Sequence, residues 1–229
     1  MKQGLSLLVT LCAILLLSGC YMNPLGVPVY KTEQTDSSHP GYRRTTLTSG
    51  TLVYVNDYEE YSLMLINPEP KQVVGHMPFG DAKVCAIEGQ ETTAYLAADV
   101  GSEMPAYEVY RNIQQPPFDW RKATFQKMNF AISEGPAANK TTADQGVIQD
   151  VLSTLRDGKP TVTASFNPTD PSNRKRFCAM HLFSDALPGL IFCIGVYQDD
   201  SGYHYLAENQ NARQWIKTSA VLNQWLQSH

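Results

Sequence analysis

The chain has 229 residues, with 18 lysines and arginines, 22 aspartates and glutamates, and a formal net charge of −4 at pH 7. A mildly acidic chain without a basic stripe argues against nucleic-acid binding and against electrostatic docking on anionic lipid. Hydrophobic residues make up 43% of the sequence and are spread along it, so the chain is able to bury a sizeable core. No C-x-x-C pair occurs, which leaves zinc and thioredoxin-like chemistry without support, and no cofactor is expected.

The N-terminus has the pattern of an export signal. Lys2 is the only charge before an apolar stretch from Leu5 to Leu17, which is shorter than the roughly 20 residues that a membrane-spanning helix needs. Leu17-Ser18-Gly19-Cys20 resembles the lipobox of bacterial lipoproteins, in which the cysteine is lipidated and becomes the first residue of the mature chain. The resemblance implies that residues 1–19 are a removed signal peptide and that lipid chains such as palmitate on Cys20 anchor the protein to the extracytoplasmic face of the cell membrane. The alternative is an ordinary cleaved signal peptide in which Cys20 has no role.

Composition divides the remaining chain into a tether and a globular part. Residues 20–49 are rich in proline, threonine, serine, glycine and charge, a composition that predicts a flexible tether because it buries little apolar surface. A strand is predicted to begin near Arg44 to Leu47, at the end of this tether. Residues 50–229 are predicted to form a single domain, and two subdomains with a break near 113–142 are the alternative.

The first half of the globular part is predicted to be an antiparallel meander. Turn residues separate six short apolar runs with β-type side chains, at 52–55, 62–66, 72–74, 83–87, 94–97 and 107–110. The stretch from Lys83 to Asn112, with an Ile87-Glu88-Gly89-Gln90 turn and a Tyr107-x-x-Tyr110-x-Asn112 end, resembles a module of secreted proteins from Gram-positive bacteria. The resemblance implies a Gram-positive source and no particular chemistry.

The clearest helix signal lies in the second half. Thr142-x-x-Gln145 is a capping-box pattern, and apolar residues recur at helical spacing up to Gly158, which predicts an amphipathic helix over about 143–157. Strands are predicted at 161–166, 176–183, 190–197 and 203–206, with the middle two forming a central hairpin. An all-β first half followed by this mixed half predicts a β-rich antiparallel fold of the α+β class.

Two further helices are predicted. Asp119 is a candidate cap for a short helix that reaches about Ser133, although the apolar residues there follow no single period. A C-terminal helix over about 219–226 is predicted to bury Val221, Leu222 and Trp225.

Three cysteines remain beyond Cys12 and Cys20, so at most one internal disulfide can form. Cys178 and Cys193 lie on strands predicted to be neighbours, and a disulfide between them is one interpretation. Apolar neighbours favour the other interpretation, in which Cys85, Cys178 and Cys193 are buried thiols.

Candidate metal ligands are few. Asp199-Asp200-Ser201-Gly202 is a weak candidate for a cation loop, because paired carboxylates beside a glycine can wrap Ca²⁺. A hairpin turn is the favoured interpretation, since the oxygen ligands that would have to follow the glycine are replaced by strand residues. His181 and His204 fall too far apart on the predicted sheet to share a metal.

Aromatic residues at turns are the candidate binding residues. Phe118, Trp120, Tyr203 and Tyr205 lie at or beside predicted turns, as do Tyr58 and Tyr61, and rings there can stack on sugars or fill a partner's pocket. The alternative is that these rings cap the core.

These patterns favour a non-catalytic, lipid-anchored binding module whose partner is an envelope protein or a cell-wall ligand. The alternative is a cell-surface hydrolase acting on wall glycan or peptide through a pair of carboxylates, with Glu59, Glu60, Glu88 and Asp119 as unranked candidates. A solute receptor of a transporter ranks last, because the first half has no alternating strand and helix pattern.

Overall fold

The computed structural model describes residues 26–78, 82–99, 106–131, 139–165, 167, 170, 172, 176–209 and 212–228. This part of the chain is β-rich, with two antiparallel sheets and a few helices, which is loosely consistent with the predicted α+β class. The lipobox at 17–20 lies outside the described residues.

The first sheet has seven strands and is formed by the N-terminal half of the chain. Its strands are β1 (Lys31–Asp36), β2 (Arg43–Ser49), β3 (Leu52–Asn56), β5 (Val73–His76), β6 (Lys83–Ala86), β7 (Tyr95–Asp99) and β8 (Tyr107–Asn112). Their spatial order is β1-β2-β3-β8-β7-β6-β5, so β8 lies between β3 and β7. Five of the six predicted runs are therefore confirmed as strands of this sheet, and the sixth becomes β4 (Leu63–Leu65), which pairs with the second sheet.

The first sheet curls, so that the chain segment before β1, at one edge of the sheet, contacts β5 at the other edge. Val29 forms a parallel bridge with His76 of β5, and the Tyr30 amide donates a hydrogen bond to the His76 carbonyl at 2.8 Å. Gly75 permits this close approach, because a Cβ there would overlap the Tyr30 ring and the Pro28 carbonyl. The concave face encloses a separate apolar cluster of Tyr30, Leu47, Tyr54, Val84, Leu96, Ala98 and Tyr110.

The prediction of a tether over residues 20–49 is therefore wrong for its C-terminal part. From Val29 onwards the chain belongs to the curled sheet, although all six residues of β1 are exposed. Backbone hydrogen bonds to β2, rather than burial of side chains, order this polar strand. The strand predicted near Arg44 to Leu47 is confirmed as β2.

The second sheet follows the order β10-β9-β12-β13-β14-β15-β11, with β4 pairing with β13. Its strands are β9 (Lys127–Ala131), β10 (Asn139–Thr142), β11 (Pro160–Thr163), β12 (Phe177–Phe183), β13 (Leu190–Gln198), β14 (His204–Ala207) and β15 (Gln214–Lys217). The predicted central hairpin is confirmed as β12 and β13.

The short helix predicted from Asp119 is wrong, because Met128 and Phe130 alternate into the core as part of β9. The sequence interpretation did not predict β15.

Helix α1 (Gln145–Asp157) confirms the predicted amphipathic helix. Its N-cap is Asp144 rather than Thr142 of the predicted capping box, and the Asp144 carboxylate accepts the Gly146 amide at 2.8 Å. Buried residues of α1 join the main core between the convex face of the curled sheet and the second sheet. That core contains Cys85 and Val109 from the first sheet together with Met180 and Phe192 from the second.

Helix α2 (Ala220–Gln227) confirms the predicted C-terminal helix, with Ser219 as the N-cap. Leu222 is buried as predicted, but Val221 is 73% exposed, so its predicted burial is wrong. The buried face of the helix contains Leu222 and Leu226 instead. Within the described residues, no helix combines the length and the apolar character needed to cross a membrane.

A buried ion pair links the two sheets. Glu60 lies in a short 3₁₀ helix (Glu60–Ser62) directly before β4, and Arg111 lies in β8. The Arg111 Nε donates to a Glu60 carboxylate oxygen, and the two residues are only 1% and 7% exposed. The second Glu60 oxygen accepts the Asp57 amide at 3.1 Å. Burial raises the pKa of Glu60, and the Arg111 guanidinium opposes that rise.

Replacing Arg111 with methionine should destabilise the protein strongly, because Glu60 would be left buried without its cation. Breaking a buried pair in this way costs about 3–5 kcal/mol, measured as the free energy of unfolding in urea. The control is Arg156→Ala, which removes an exposed pair with Asp157 and should cost less than about 1 kcal/mol. Equal losses in the two variants would contradict a structural role for the buried pair.

Candidate functional site

The predicted binding residues Phe118 and Trp120 lie over the main core rather than on a binding surface. Trp120 is 5% exposed and stacks on Phe192 with ring centroids 5.8 Å apart. Phe118 contacts Phe125 edge-on, with centroids 6.4 Å apart. Both rings therefore cover the core, which is the alternative interpretation of the sequence.

Tyr203 and Tyr205, the other predicted binding residues, are held by internal hydrogen bonds. The Tyr203 hydroxyl donates to the Thr218 carbonyl at 2.9 Å, and the Tyr205 hydroxyl donates to Asp199 Oδ2 at 2.9 Å. Tyr205 is buried and Tyr203 is partly buried against it. These rings stabilise the β13–β14 end of the second sheet.

The weak metal candidates Asp199 and Asp200 lie in the turn between β13 and β14, as the hairpin interpretation predicts. Asp199 Oδ1 accepts hydrogen bonds from the Ser201 and Tyr203 amides, each at 2.9 Å. The hydrogen bond from the Ser201 hydroxyl is the largest cause of a lowered pKa of Asp199. Asp200 forms an ion pair with Arg176 at 2.7 Å. Among the described residues, no three histidine, cysteine or acidic side chains cluster as a metal site would require.

The cysteines and histidines of the central hairpin are spread along it. Cys193 lies opposite His181, whereas Cys178 lies opposite Val196, three positions further along β12. Three positions correspond to about 10 Å, which is beyond disulfide geometry. His204 lies opposite Gln198, far from His181 along the shared strand, and burial lowers the pKa of both histidines.

The four carboxylates proposed for a hydrolase do not converge. Glu60 is committed to Arg111, and Asp119 pairs with Lys122 at 2.9 Å. Glu59 and Glu88 are exposed. None of the four lines the cleft described next.

A cleft of about 1150 Å³ opens between the curled sheet and the second sheet. One wall is formed by β1, the start of β2, the start of β8 and the chain around Met77. The opposite wall is formed by the chain after β14, by β15 and by the end of α1. The volume is sufficient for a drug-sized ligand or a short segment of polymer.

Three tyrosines line one side of the cleft as a contiguous cluster. The ring of Tyr42 meets that of Tyr58 edge-on, with centroids 4.8 Å apart, and that of Tyr61 at 5.5 Å. His39 stacks on the far side of Tyr58, with centroids 4.0 Å apart and planes 13° from parallel. The Tyr42 hydroxyl donates to Asn209 Oδ1 at 2.9 Å. We call Tyr42, Tyr58 and Tyr61 the tyrosine cluster.

Asp57 fixes the position of the tyrosine cluster. Its carboxylate accepts the Tyr58 amide at 2.8 Å and the Ser37 hydroxyl, and it lies 3.8 Å from the Arg44 guanidinium. These contacts fasten the β1–β2 hairpin, which carries Tyr42, to the segment that carries Tyr58. Two stretches distant in sequence are thereby held together.

Burial raises the pKa of all three tyrosines of the cluster. For Tyr58 the nearby Glu208 carboxylate adds to that rise, and for Tyr61 Glu108 does so. The hydroxyls therefore stay protonated at neutral pH and act as hydrogen-bond donors and acceptors.

Three glutamates line the cleft, of which Glu33 is exposed on β1 and the other two have different surroundings. Glu208 Oε1 forms an ion pair with Arg121 at 2.6 Å, and its other oxygen accepts the Tyr58 hydroxyl at 3.4 Å. Glu108 is half-buried and accepts the Tyr110 hydroxyl at 3.4 Å. Burial raises the pKa of Glu108, and the hydrogen bond from Tyr110 opposes the rise.

Two arginines also line the cleft. Arg43 Nη1 donates to Gln34 Oε1 at 3.3 Å. Arg213 lies beside the turn before β2, with Nη2 3.8 Å from the position that a Cβ of Gly41 would occupy. Its positive charge lowers the pKa of Tyr42 against the larger effect of burial. The cleft thus offers aromatic rings and charges of both signs.

The sequence interpretation included Tyr58 and Tyr61 as rings beside turns but missed Tyr42, Glu108 and Arg213. Tyr42 falls within the predicted tether. The pattern Tyr107-x-x-Tyr110 predicts a strand, and no local sequence pattern indicates that Glu108, between those tyrosines, faces a cleft.

Comparison with known proteins gives no match: no protein-family model, no curated protein and no solved structure is significantly similar to this chain.

Replacing Glu108 with glutamine should stabilise the protein at neutral pH, because the amide retains an acceptor for Tyr110 and removes a desolvated charge. A raised pKa means that the folded state binds more protons than the unfolded state above the ordinary glutamate pKa. The stability of the wild type therefore falls as the pH rises from the ordinary glutamate pKa through the raised pKa of Glu108 in the folded state. The advantage of the variant should be small at pH 4 and grow towards pH 7, measured as the midpoint of thermal unfolding.

The matched control is Glu88→Gln, which removes an exposed carboxylate outside the cleft. Its stability should follow that of the wild type across the same pH range. An advantage for Glu108→Gln that does not change with pH would contradict the burial of an ionised carboxylate.

Proposed function

We propose that this chain is a lipid-anchored, extracytoplasmic binding module of the α+β class that holds a cell-envelope ligand in its cleft. The tyrosine cluster carries the proposal. Tyr42, Tyr58 and Tyr61 contact one another along one wall of a cleft of about 1150 Å³. Rings in such an arrangement offer apolar surface and hydroxyls together, which suits a polar ligand with apolar parts.

The organisation of the cleft supports recognition by a preformed surface. Asp57 fixes Tyr58 relative to the β1–β2 hairpin, and the Tyr42 hydroxyl is held by Asn209 from the opposite wall. Side chains that are already ordered lose little conformational entropy when a ligand binds. Aromatic residues in such positions often supply most of the binding energy.

A wall hydrolase remains the second candidate function, and the charges of the cleft favour binding over it. A pair of catalytic carboxylates requires two groups whose pKa values are set apart by their surroundings. In the cleft, Glu208 is committed to Arg121. The pKa of Glu108 is set by burial and by Tyr110, with no contribution from a second carboxylate. Glu108 and Glu208 therefore do not act on each other as a catalytic pair does.

The proposed location rests on Leu17-Ser18-Gly19-Cys20 and its resemblance to a lipobox. Two acyl chains hold a protein stably on a bilayer, because each buried methylene contributes about 0.8 kcal/mol. The membrane is thus one partner through Cys20, and the ligand of the cleft is the other.

Replacing Cys20 with serine should abolish incorporation of an alkyne-tagged palmitate and move the protein from the membrane fraction to the soluble or secreted fraction. The measurement is in-gel fluorescence after tagging, together with fractionation of the producing bacterium. Cys12→Ser is the control, because it removes a cysteine from the same signal segment and should leave labelling intact. Labelling that persists in Cys20→Ser would refute the anchor.

Replacing Tyr58 with alanine should weaken binding of soluble fragments from a peptidoglycan digest at least about tenfold, since one well-packed aromatic contact can contribute 2 kcal/mol or more. Binding is measured by ligand-observed NMR on the purified protein. The control is Tyr203→Ala, which removes a ring outside the cleft. If Tyr203→Ala weakens binding as much as Tyr58→Ala, or if no fragment binds the wild type, the cleft is not the site proposed.

A further inference from the structure

Glu108 is a half-buried carboxylate that the described part of the chain leaves without a cation. The six ion pairs among the described residues do not include it. Its hydrogen-bond partner is the Tyr110 hydroxyl, at 3.4 Å. Desolvating a carboxylate is unfavourable unless a positive group compensates it.

Other shielded glutamates of the same fold have such compensation. Glu60, at 1% exposure, is paired with Arg111. Glu208 of the same cleft is paired with Arg121 at 2.6 Å. Glu108 differs from both, and it lines the cleft wall, so a cation can reach it from outside.

One tyrosine near Glu108 is partly exposed in the cleft wall and suits an ammonium group. Tyr110 is buried and donates its hydroxyl to the carboxylate, whereas Tyr61 is partly exposed, lines the cleft and lies close enough for Glu108 to raise its pKa. Aromatic rings beside a carboxylate attract alkylammonium ions through both the ring quadrupole and the negative charge.

The other side of the tyrosine cluster carries the opposite charge. Arg213 lies beside Tyr42, with Nη2 3.8 Å from the position that a Cβ of Gly41 would occupy, and the ring centroids of Tyr42 and Tyr61 are 5.5 Å apart. Arg213 belongs to none of the six ion pairs of the described residues. A ligand lying across Tyr42 and Tyr61 therefore meets a carboxylate on one side and a guanidinium on the other.

We propose that the cleft binds a short peptide that carries both a free amine and a carboxylate, with the amine at Glu108 and the carboxylate at Arg213. The inference rests on the proposed function and names its ligand class. A neutral glycan would leave Glu108 and Arg213 uncompensated, whereas a peptide with a free side-chain amine and a free C-terminus pairs with both residues.

The test uses matched peptides that differ only in charge. Nα-acetyl-lysyl-alanine carries one free amine and one carboxylate, its Nε-acetylated form lacks the amine, and its C-terminal amide lacks the carboxylate. Dissociation constants are measured by NMR titration of the purified protein at pH 7. We expect each capped peptide to bind the wild type about tenfold more weakly or worse, since charge-assisted hydrogen bonds are the strong ones.

The variants assign each preference to its residue. In Glu108→Gln the preference for the free amine should disappear while the preference for the free carboxylate remains, and in Arg213→Gln the reverse should hold. Glu88→Gln removes the same charge outside the cleft and should retain both preferences. A loss of stability would not explain the lost preference, because Glu108→Gln is expected to be at least as stable as the wild type.

Equal binding of free and Nε-acetylated peptides by the wild type would overturn the inference, as would an amine preference that survives in Glu108→Gln. Either result leaves the proposed function standing if Tyr58→Ala still loses the digest fragments. Failure of all three peptides to bind at millimolar concentration overturns the inference as well, and the digest experiment then decides the proposed function separately.

Discussion

The ion pair between Glu60 and Arg111 is the contact on which the arrangement of the two sheets depends. It joins β8 of the curled sheet to the short helix before β4, and β4 pairs with β13 of the second sheet. The same helix follows directly on Asp57 and Tyr58, and Glu60 also accepts the Asp57 amide. The carboxylate that pairs with Arg111 therefore also contacts the segment that carries Tyr58, a residue of the cleft.

Because this pair is buried, it orients more than it stabilises. Desolvation of both ions offsets much of their attraction, and burial raises the pKa of Glu60 although the Arg111 guanidinium opposes the rise. The pair instead fixes the relative orientation of its two segments, because a guanidinium donates hydrogen bonds in fixed directions. Arg111 is held further by its donation to the Gln115 carbonyl.

Local patterns in the sequence predicted the elements whose side chains are sorted between core and solvent. Helix α1 buries one apolar face, and β12 and β13 are continuous apolar strands, so periodicity and length were sufficient to identify them. Strand β9 was mistaken for a helix because only Met128 and Phe130 alternate clearly, and pairing with β12 decides its conformation.

The candidate site was less predictable, because its residues come together only through tertiary contacts. Tyr42 lies in a polar segment whose order comes from backbone pairing of β1 with β2, which composition does not reveal. Glu108 and Arg213 are 105 positions apart in the sequence, and no local motif relates them. Rings beside turns were a useful signal for Tyr58 and Tyr61, but the same signal selected Trp120 and Tyr205, which are buried. Exposure separates these two pairs, but Phe118 and Tyr203 are partly buried like Tyr58 and Tyr61. Only the folded structure shows which of these rings line the cleft.

The docking of Val29 against His76 also limits how far the domain can stand from a membrane. Under the proposed anchor, eight peptide units separate Cys20 from Pro28, which at full extension span at most about 29 Å. Met77, next to His76, lines the cleft, so under the proposed anchor this part of the cleft wall would stay close to the bilayer. A ligand in contact with Met77 would then be bound near the membrane surface.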